Sequence, residues 1–191
     1  MIWFTSDLHF HHKRICEYAN RPFSSVEEMN EQLIINWNAV VLPSDTVWSL
    51  GDFSFGKLGQ TIEVLSRLNG EHSCVFGNHD KVLVDNKEQL LNSGYFKEMV
   101  HYKELSYRGQ FICLFHYGQR VFNKSHYGSW QLFGHSHNSL EPFGKSVDVG
   151  VDSTYILNGV TEYRPFSFDE IKTFMDARKP AILDHHKMRN S

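Results

Sequence analysis

The sequence is poor in cysteine and has no long hydrophobic run. Its three cysteines, Cys16, Cys74 and Cys113, are odd in number and far apart, and the last two lie in apolar segments. This pattern favours buried free thiols in a reducing compartment over a disulfide framework. No apolar segment approaches the length needed to cross a membrane, and no signal peptide precedes residues 1–4. We therefore expect a cytoplasmic protein without a membrane partner.

An excess of basic residues is also absent. The 19 Lys and Arg residues against 22 Asp and Glu residues give a net charge of -3. This balance does not indicate a large nucleic-acid-binding surface, although it is compatible with a nucleotide-sized phosphate ligand. No repeat, low-complexity segment or linker divides the 191 residues, so we predict a single domain with a polar tail from about residue 184. The sequence leaves the oligomeric state open.

Histidine, in contrast, is abundant, with twelve residues. Several of them, with Asp and Asn, directly follow short apolar segments. The five places are Asp7-Leu8-His9, Gly51-Asp52, Gly77-Asn78-His79-Asp80, His116 and Gly134-His135-Ser136-His137. Taken singly they are weak signals, since Asp-x-His is often only a cap and Gly-Asp is nearly uninformative. All five in one chain, each at the end of an apolar segment, indicate a common site.

Apolar segments and amphipathic segments alternate along the first part of the chain. Strands are expected at residues 2–6, 46–50 and 73–76, with helices between them, which predicts a parallel or mixed α/β sheet. The carboxyl ends of such strands share one edge, so the polar residues that follow them should converge. Asp7 and His9 are two apart, and an extended backbone would point both to the same side.

The later part of the chain predicts further strands and a last helix. Three strands are expected at residues 96–100, 102–107 and 110–115, joined by tight turns. Two capping boxes are predicted, Ser25 with Glu28 and Ser167 with Glu170, at the starts of amphipathic helices.

The converging side chains form a set of oxygen and nitrogen ligands without a thiolate. The set is larger than one metal ion needs, and it suits two divalent ions that share a carboxylate, most simply Asp52. Asp148 and Asp152 are interpreted as turn residues, since this set is already complete.

With these five segments the chain resembles the calcineurin-like metallophosphoesterase family, in particular its small single-domain bacterial and phage members. The resemblance extends from about Ile2 to about Glu170. It implies a mixed α/β (α+β) fold, a four-layer αββα sandwich of two mixed β-sheets. Two departures from the wider family are visible: Phe53-Ser54-Phe55 follows Gly-Asp, and Tyr117 precedes Gly118. We expect both to alter the pocket wall.

The resemblance also implies roles for the site residues. One ion would be bound by Asp7, His9, Asp52 and His137, and the second by Asp52, Asn78, His116 and His135. His79 corresponds to the catalytic histidine of the family, and Asp80 to the carboxylate that supports it. His12 is a candidate phosphate contact or else a solvated residue at a helix start. Arg21 is a candidate bidentate phosphate ligand.

The function that follows is hydrolysis of a phosphate ester, a phosphodiester or a monoester, including nucleotide-type esters. Two divalent ions, with manganese expected and iron, zinc or nickel as alternatives, would generate a hydroxide that attacks phosphorus. The expected partner is a small phosphate ester, and the charge does not indicate nucleic acid. Two alternatives stay open. A nuclease or RNA-end-processing phosphodiesterase would need a basic strip leading to the metals, and a non-catalytic protein-binding scaffold would show no metal-dependent turnover.

Overall fold

Strands and helices alternate along the first hundred residues. The computed structural model describes residues 1–181 and 183. The first elements are β1 (Ile2–Thr5), α1 (Ile15–Tyr18), α2 (Val26–Val40), β2 (Thr46–Ser49), α3 (Leu58–Arg67), β3 (Glu71–Val75), α4 (Lys81–Asp85), α5 (Lys87–Asn92) and β4 (Glu98–Val100). They are followed by β5 (Lys103–Tyr107), β6 (Gln110–Leu114), the 3-10 helix Ser125–Tyr127, β7 (Trp130–Phe133), β8 (Ser146–Asp148), β9 (Phe166–Ser167) and α6 (Phe168–Asp176). The predicted polar tail from about residue 184 lies outside the described residues, and the single-domain organisation stays a prediction.

The first sheet has the strand order β4-β3-β2-β1-β9. Strands β1 to β4 run parallel, and β9 is antiparallel to β1. The register pairs Thr5 with Ser49, and Ser49 with Cys74, so β1, β2 and β3 end together. The segments that follow these three strands therefore leave the sheet at the same edge, as the sequence predicted.

The second sheet has the order β5-β6-β7-β8, in which β5 is antiparallel and the other three strands are parallel. Strands β5 and β6 form a hairpin through Arg108-Gly109, whose φ angles of 47° and 81° suit a two-residue turn that matches the strand twist.

The three expected strands are present as β4, β5 and β6, and only two residues separate β4 from β5, but β4 and β5 lie in different sheets. Strand β4 pairs in parallel with β3, so it belongs to the first sheet. Helices α4 and α5 form the crossover that a parallel connection requires. The chain then passes to the second sheet between Val100 and Lys103, a step that the local spacing of apolar residues does not reveal.

The two sheets pack face to face over a shared apolar cluster. Phe4, Trp48 and Val75 of the first sheet belong to the same buried cluster as Leu114 and Leu132 of the second. A second cluster lies between the first sheet and the helices, and it includes Trp3, Met29, Leu33, Trp37 and Val64. The predicted fold class, two mixed sheets in a layered α/β protein, is confirmed.

The outer face of the second sheet is covered by the segment 117–129. The buried Gln131 of β7 donates a hydrogen bond to the Tyr117 carbonyl at 2.9 Å and accepts one from the Gln119 amide at 3.0 Å. The Sγ atom of Cys113 lies 3.6 Å from the Asn123 carbonyl. This segment is the loop after β6 and contains the short 3-10 helix, and its bonds to Gln131 and Cys113 hold it on the sheet.

Helix capping follows the predictions in part. At α6, Ser167 and Glu170 make both hydrogen bonds of the capping box, which confirms that prediction. At α2, Ser25 accepts a bond from the Glu28 amide, but the Glu28 carboxylate bonds to the Ser24 amide at 2.7 Å. The α2 box is therefore only half formed, because Ser24 offers the donor nearest to the carboxylate.

Candidate metal centre

The loops of the candidate site are joined to one another through their backbones. The Asp7 amide donates to the Gly51 carbonyl at 3.0 Å, and the His9 amide donates to the Asp52 carbonyl at 2.9 Å. The Gly134 amide donates to the His116 carbonyl at 2.9 Å. These bonds continue the strand pairing past the ends of the strands, so the side chains are fixed by backbone structure.

Five of the predicted ligand residues have a left-handed backbone. The φ angles are 55° at Asp7, 54° at His9, 55° at Asp52, 69° at His135 and 45° at His137. The prediction that an extended backbone aligns Asp7 with His9 was therefore wrong, because β1 ends at Thr5 and the chain then turns. Sparsely populated conformations of this kind concentrate at functional sites.

Two glycines allow the loops to approach closely. A Cβ atom at Gly77 would overlap the Asp52 carboxylate, and one at Gly134 would overlap Ser6 and the Asp7 carboxylate. A side chain at either position would displace a predicted ligand.

The first group of ligand atoms consists of Asp7, His9 and His137, which lie within 4.8 Å of one another. The Asp7 Oδ1 atom is 4.0 Å from both His9 Nε2 and His137 Nε2. The Asp7 Oδ1 and His9 Nε2 atoms are buried, and neither has a hydrogen-bond partner among the described residues. Because buried polar atoms rarely lack a partner, this pair fits the coordination of a cation.

The second group consists of Asp52, His116 and His135, again within 4.8 Å. The His116 Nδ1 atom bonds to the Leu50 carbonyl at 2.7 Å, so it carries the proton and Nε2 keeps its lone pair. This Nε2 lies 3.0 Å from Asn78 Oδ1, which is also an acceptor. Two facing acceptors at this distance repel each other, and a shared cation would stabilise them.

Asp52 connects the two groups. Its Oδ2 atom lies 3.7 Å from His9 Nε2 and 3.6 Å from His116 Nε2. Its Oδ1 atom accepts a hydrogen bond from the His79 amide at 2.8 Å. The backbone therefore holds one oxygen of Asp52 and leaves the other facing both groups.

The electrostatics of the cluster suit a cation. Burial raises the pKa of the Asp7 carboxyl well above its usual range, and the nearby carboxylates of Asp148 and Asp52 raise it further. Burial, reinforced by His137, lowers the pKa of His9 far below its usual range. Neutral imidazoles and crowded carboxylates are the ligand forms that divalent cations take.

The comparisons with known proteins agree with this geometry. The sequence profile described as calcineurin-like phosphoesterase matches residues 1–174. The chain belongs to the calcineurin-like phosphoesterase family. This family consists of metal-dependent phosphoesterases, and the two ligand groups are the candidate metal-binding clusters of this member.

Individual relatives extend the comparison. An uncharacterized protein of Methanocaldococcus jannaschii is 35% identical over 188 residues, which cover 93% of each chain. The gene 66 protein of Mycobacterium phage L5 is 43% identical over 81 residues, which cover 41% of this chain and 39% of the phage protein. The crystal structure of a protein of unknown function from Aquifex aeolicus has a TM-score of 0.66 and 26% identity, covering 91% of this chain and 98% of its own.

Arg21 occupies a different place from the one predicted for it in this phosphoesterase. It is only 4% exposed, and its Nε and Nη2 atoms donate to the two Asp152 oxygens at 2.8 Å each. It also donates to the Leu8 carbonyl at 2.9 Å and to the Asp7 carbonyl at 2.6 Å. A guanidinium engaged in this way has no free edge for a phosphate, so the predicted substrate contact is not supported.

Asp152 is the partner that the sequence interpretation missed. Its Oδ2 atom lies 2.7 Å from His137 Nδ1, which turns His137 Nε2 toward Asp7. Although burial by itself raises the pKa of Asp152, the bond to His137 and the Arg21 guanidinium outweigh it and hold the pKa below its usual range. Asp152 follows the apolar segment 147–151, as Asp7 follows residues 2–6, but without an adjacent histidine nothing in its sequence context singled it out.

Asp80 also acts differently from the prediction. Its carboxylate accepts bonds from the Asp52, Phe53 and Gly77 amides at 2.9, 2.8 and 2.8 Å. Asp80 therefore ties the loop after β2 to the loop after β3, and both of its oxygens are engaged by backbone amides and not by the His79 ring. Burial raises its pKa to about 6.

A cavity of about 380 Å³ opens beside the ligand groups. His79 and Phe55 line it, together with His9, His12, Asp52, His135 and His137. The His12 ring stacks on Phe55 with a centroid distance of 3.9 Å and an interplanar angle of 9°. The Phe55 side chain, which follows Gly-Asp in the sequence, thus forms part of the pocket wall.

No helix of the described chain is long and apolar enough to cross a membrane. Cys16, Cys74 and Cys113 are free thiols, and the last two are buried as predicted.

Proposed function

We propose that this protein is a phosphoesterase that uses two divalent metal ions to hydrolyse a small phosphate ester. The observation that carries the proposal is Asp52, whose one unengaged oxygen lies within 3.7 Å of a ligand nitrogen in each group. Dinuclear sites that catalyse displacement at phosphorus have such a shared carboxylate between ions about 3.5–4 Å apart. The family membership supports the same reaction class.

Each ion has its own set of residues. Asp7, His9 and His137 would hold the first, and His116, Asn78 and His135 the second, with Asp52 common to both. Cations bound there would lower the pKa of water and withdraw charge from a phosphoryl group. Manganese is the metal we propose, because carboxylate and amide oxygens suit it and the set has no thiolate; the imidazoles also suit iron, zinc and nickel, which are the alternatives.

His79 is the residue that we assign to the substrate. It is exposed, it lines the cavity, and its ring centroid lies 5.9 Å from that of His9. A protonated imidazole here would hydrogen-bond to a phosphoryl oxygen and donate its proton to the leaving alkoxide. Asp80 contributes indirectly, because it fixes the loop that carries His79.

His12 is the second proposed substrate contact. It lines the same cavity, and its Nδ1 atom lies 3.3 Å from His9 Nδ1. The stacking on Phe55 fixes its ring while leaving an edge toward the cavity. A phosphate group in the cavity would therefore contact both His12 and His79.

A panel of esters tests the proposal. Purified protein is stripped with a chelator, reloaded with Mn²⁺, Ni²⁺ or Zn²⁺, and assayed on p-nitrophenyl phosphate, bis(p-nitrophenyl) phosphate and 2′,3′-cyclic nucleotides. We expect hydrolysis only in the presence of metal. The metal content, measured by elemental analysis, should approach two ions per chain.

Two results would contradict the proposal. Hydrolysis that persists after exhaustive chelation would exclude the metal mechanism. Full metal loading without turnover of any ester would favour the non-catalytic scaffold instead.

A further inference from the structure

The cavity beside the two ligand groups has two unlike sides. One side is formed by the proposed metal ligands and by the two histidines assigned to the phosphate. The other side, here called the apolar wall, consists of Ile15, Tyr18, Ala19 and Phe55. Apart from the Tyr18 hydroxyl, these four described residues offer no side-chain atom that can make a hydrogen bond. The proposed chemistry at phosphorus does not use this wall.

The aromatic rings of the apolar wall are open to the cavity but have fixed neighbours. Phe55 is 40% exposed and Tyr18 is 57% exposed. The Phe55 ring stacks on His12 at 3.9 Å, and its centroid lies 4.8 Å from that of His79. The Tyr18 ring lies 6.1 Å from His12, and the Arg14 guanidinium lies 4.6 Å from the Tyr18 ring centroid. The exposed rings are therefore continuous with the two histidines that would contact the phosphate.

The size of the cavity allows an ester to reach this wall. Its volume of about 380 Å³ lies in the range of small-molecule sites, which bury most of the surface of their ligand. With the phosphate at the ligand groups, the organic group of the ester would lie against the apolar wall. An apolar group gains free energy from this burial, whereas a hydroxyl or a charge would lose its bonds to water without finding a partner.

We propose that the apolar wall binds the organic group of the phosphate ester, and that this group is uncharged and apolar, of the aryl type. The inference rests on the proposed function, since the metal centre would hold the phosphate. An aromatic ring suits the site because it can pack on the exposed rings of Phe55 and Tyr18. A sugar or a polyol suits it poorly, because its hydroxyls would face side chains that cannot bind them.

A neighbouring cavity offers the opposite chemistry. It has a volume of about 450 Å³, it shares Phe55 and His79 with the first cavity, and Lys57 and Lys81 contribute to its lining. A charged organic group would favour this neighbour, although Lys81 is already paired with Asp85 at 2.7 Å. A ligand with a carboxylate therefore distinguishes the two directions.

Binding of phosphonates tests the assignment without relying on hydrolysis, because their carbon–phosphorus bond is not an ester. The Mn²⁺-loaded protein is titrated by calorimetry with methylphosphonate, benzylphosphonate and 3-phosphonopropionate. Benzylphosphonate should bind roughly ten- to a hundredfold more tightly than methylphosphonate, as expected when an aromatic ring is buried. The carboxylate of 3-phosphonopropionate should give no gain over methylphosphonate.

Two variants assign the preference to the wall. Phe55→Ala and Tyr18→Ala should each lower the ratio of the benzyl to the methyl affinity by about two- to tenfold, the contribution of one aromatic pair. The ratio is decisive because Phe55 also stacks on His12, and loss of that support alone would weaken both phosphonates equally. Tyr127→Ala is the matched control, since Tyr127 is 82% exposed and does not line the cavity. It should leave the ratio unchanged.

The outcomes separate the two proposals. The wall assignment would be overturned, even if esters are hydrolysed, by absent or equal binding of benzylphosphonate relative to methylphosphonate. A ratio unchanged in both variants, or tightest binding of 3-phosphonopropionate, would overturn it as well. A preference for benzylphosphonate that either variant reduces, in a protein that hydrolyses no ester, would retain the apolar wall and remove the proposed reaction.

Discussion

Replacement of Arg21 by methionine tests how the metal centre is positioned. Methionine keeps an unbranched apolar chain of similar length but removes the guanidinium. The variant loses two bonds to Asp152 and one each to the Asp7 and Leu8 carbonyls. Asp152 then remains buried without the guanidinium. Among the ion pairs of the described residues, His137 is the one partner left to it.

The expected magnitude follows from this burial. Removal of one partner from a buried ion pair costs about 3–5 kcal/mol, because the other charge is left uncompensated. Loss of the residues that orient metal ligands lowers metal affinity by about 10- to 100-fold. Both effects should appear here, since Arg21 holds Asp152, and Asp152 orients His137.

The assay combines two measurements. Urea denaturation in the presence of a chelator gives the free energy of unfolding of the metal-free protein, and titration with Mn²⁺ gives the metal affinity. Arg67→Met is the matched control, because Arg67 makes a two-bond pair with Glu31 that is exposed, with distances of 2.6 and 2.5 Å. Exposed pairs contribute about 1 kcal/mol or less.

A double variant separates charge from packing. In Arg21→Met with Asp152→Leu, no buried charge is left unpaired, so part of the lost stability should return while the metal affinity stays low. Stability and Mn²⁺ affinity in Arg21→Met that match those of Arg67→Met would refute the positioning role of Arg21.

Three further predictions concern the site itself. Asp52→Asn should lower turnover by orders of magnitude with little loss of fold, because the charge shared by the two groups is removed; undiminished turnover in the metal-loaded variant would exclude the bridging role. His79→Ala should keep metal content near the wild-type value and lower kcat, and an equal loss of metal by elemental analysis would instead make His79 a ligand. Gly134→Ala should lower the melting temperature by several degrees, since its methyl group would meet Ser6 and the Asp7 carboxylate and overpacking costs about 1–3 kcal/mol. Gly59→Ala is its control, because a Cβ at Gly59 within α3 meets nothing within 4 Å and alanine favours the helix; equal melting temperatures for the two variants would contradict the packing argument.

Much of the fold was predictable because apolar periodicity is a local property. Strands β1, β2 and β3 were recognised from short apolar segments, and their parallel pairing follows from the helices between them. The start of α6 was predictable from local sequence as well, because both hydrogen bonds of its capping box join Ser167 and Glu170, which lie within four residues. The placement of β4 beside β3 was not predictable from local sequence, because the pattern of a short strand followed by a turn is the same whichever sheet the strand joins.

The candidate ligands were predictable for a related reason. Residues that follow parallel strands of one sheet meet at one edge, so Asp52 and His116 were expected together although they are 64 positions apart in the sequence. They do meet, but Asp52 follows β2 of the first sheet and His116 follows β6 of the second, so the packing of the two sheets brings them together. The resemblance to a family supplied the division into two groups, which side-chain chemistry alone left open. The left-handed backbone at Asp7 and His9 was not predicted, because either residue type also occurs in an extended strand.

The sequence by itself determined which residue types gather at the edge of the sheet, and therefore the class of chemistry. Only the tertiary structure decided how they are held. Arg21 and Asp152 are 131 residues apart, and their pairing exists only because two loops pack together. Asp80 was expected to hydrogen-bond to the His79 ring, but it accepts hydrogen bonds from backbone amides of two loops. A buried carboxylate needs hydrogen-bond donors, and the packing of the two loops determines which donors lie close to it. Local sequence fixes backbone periodicity and ligand chemistry, whereas the partner of a buried charge depends on which distant segments share its surroundings.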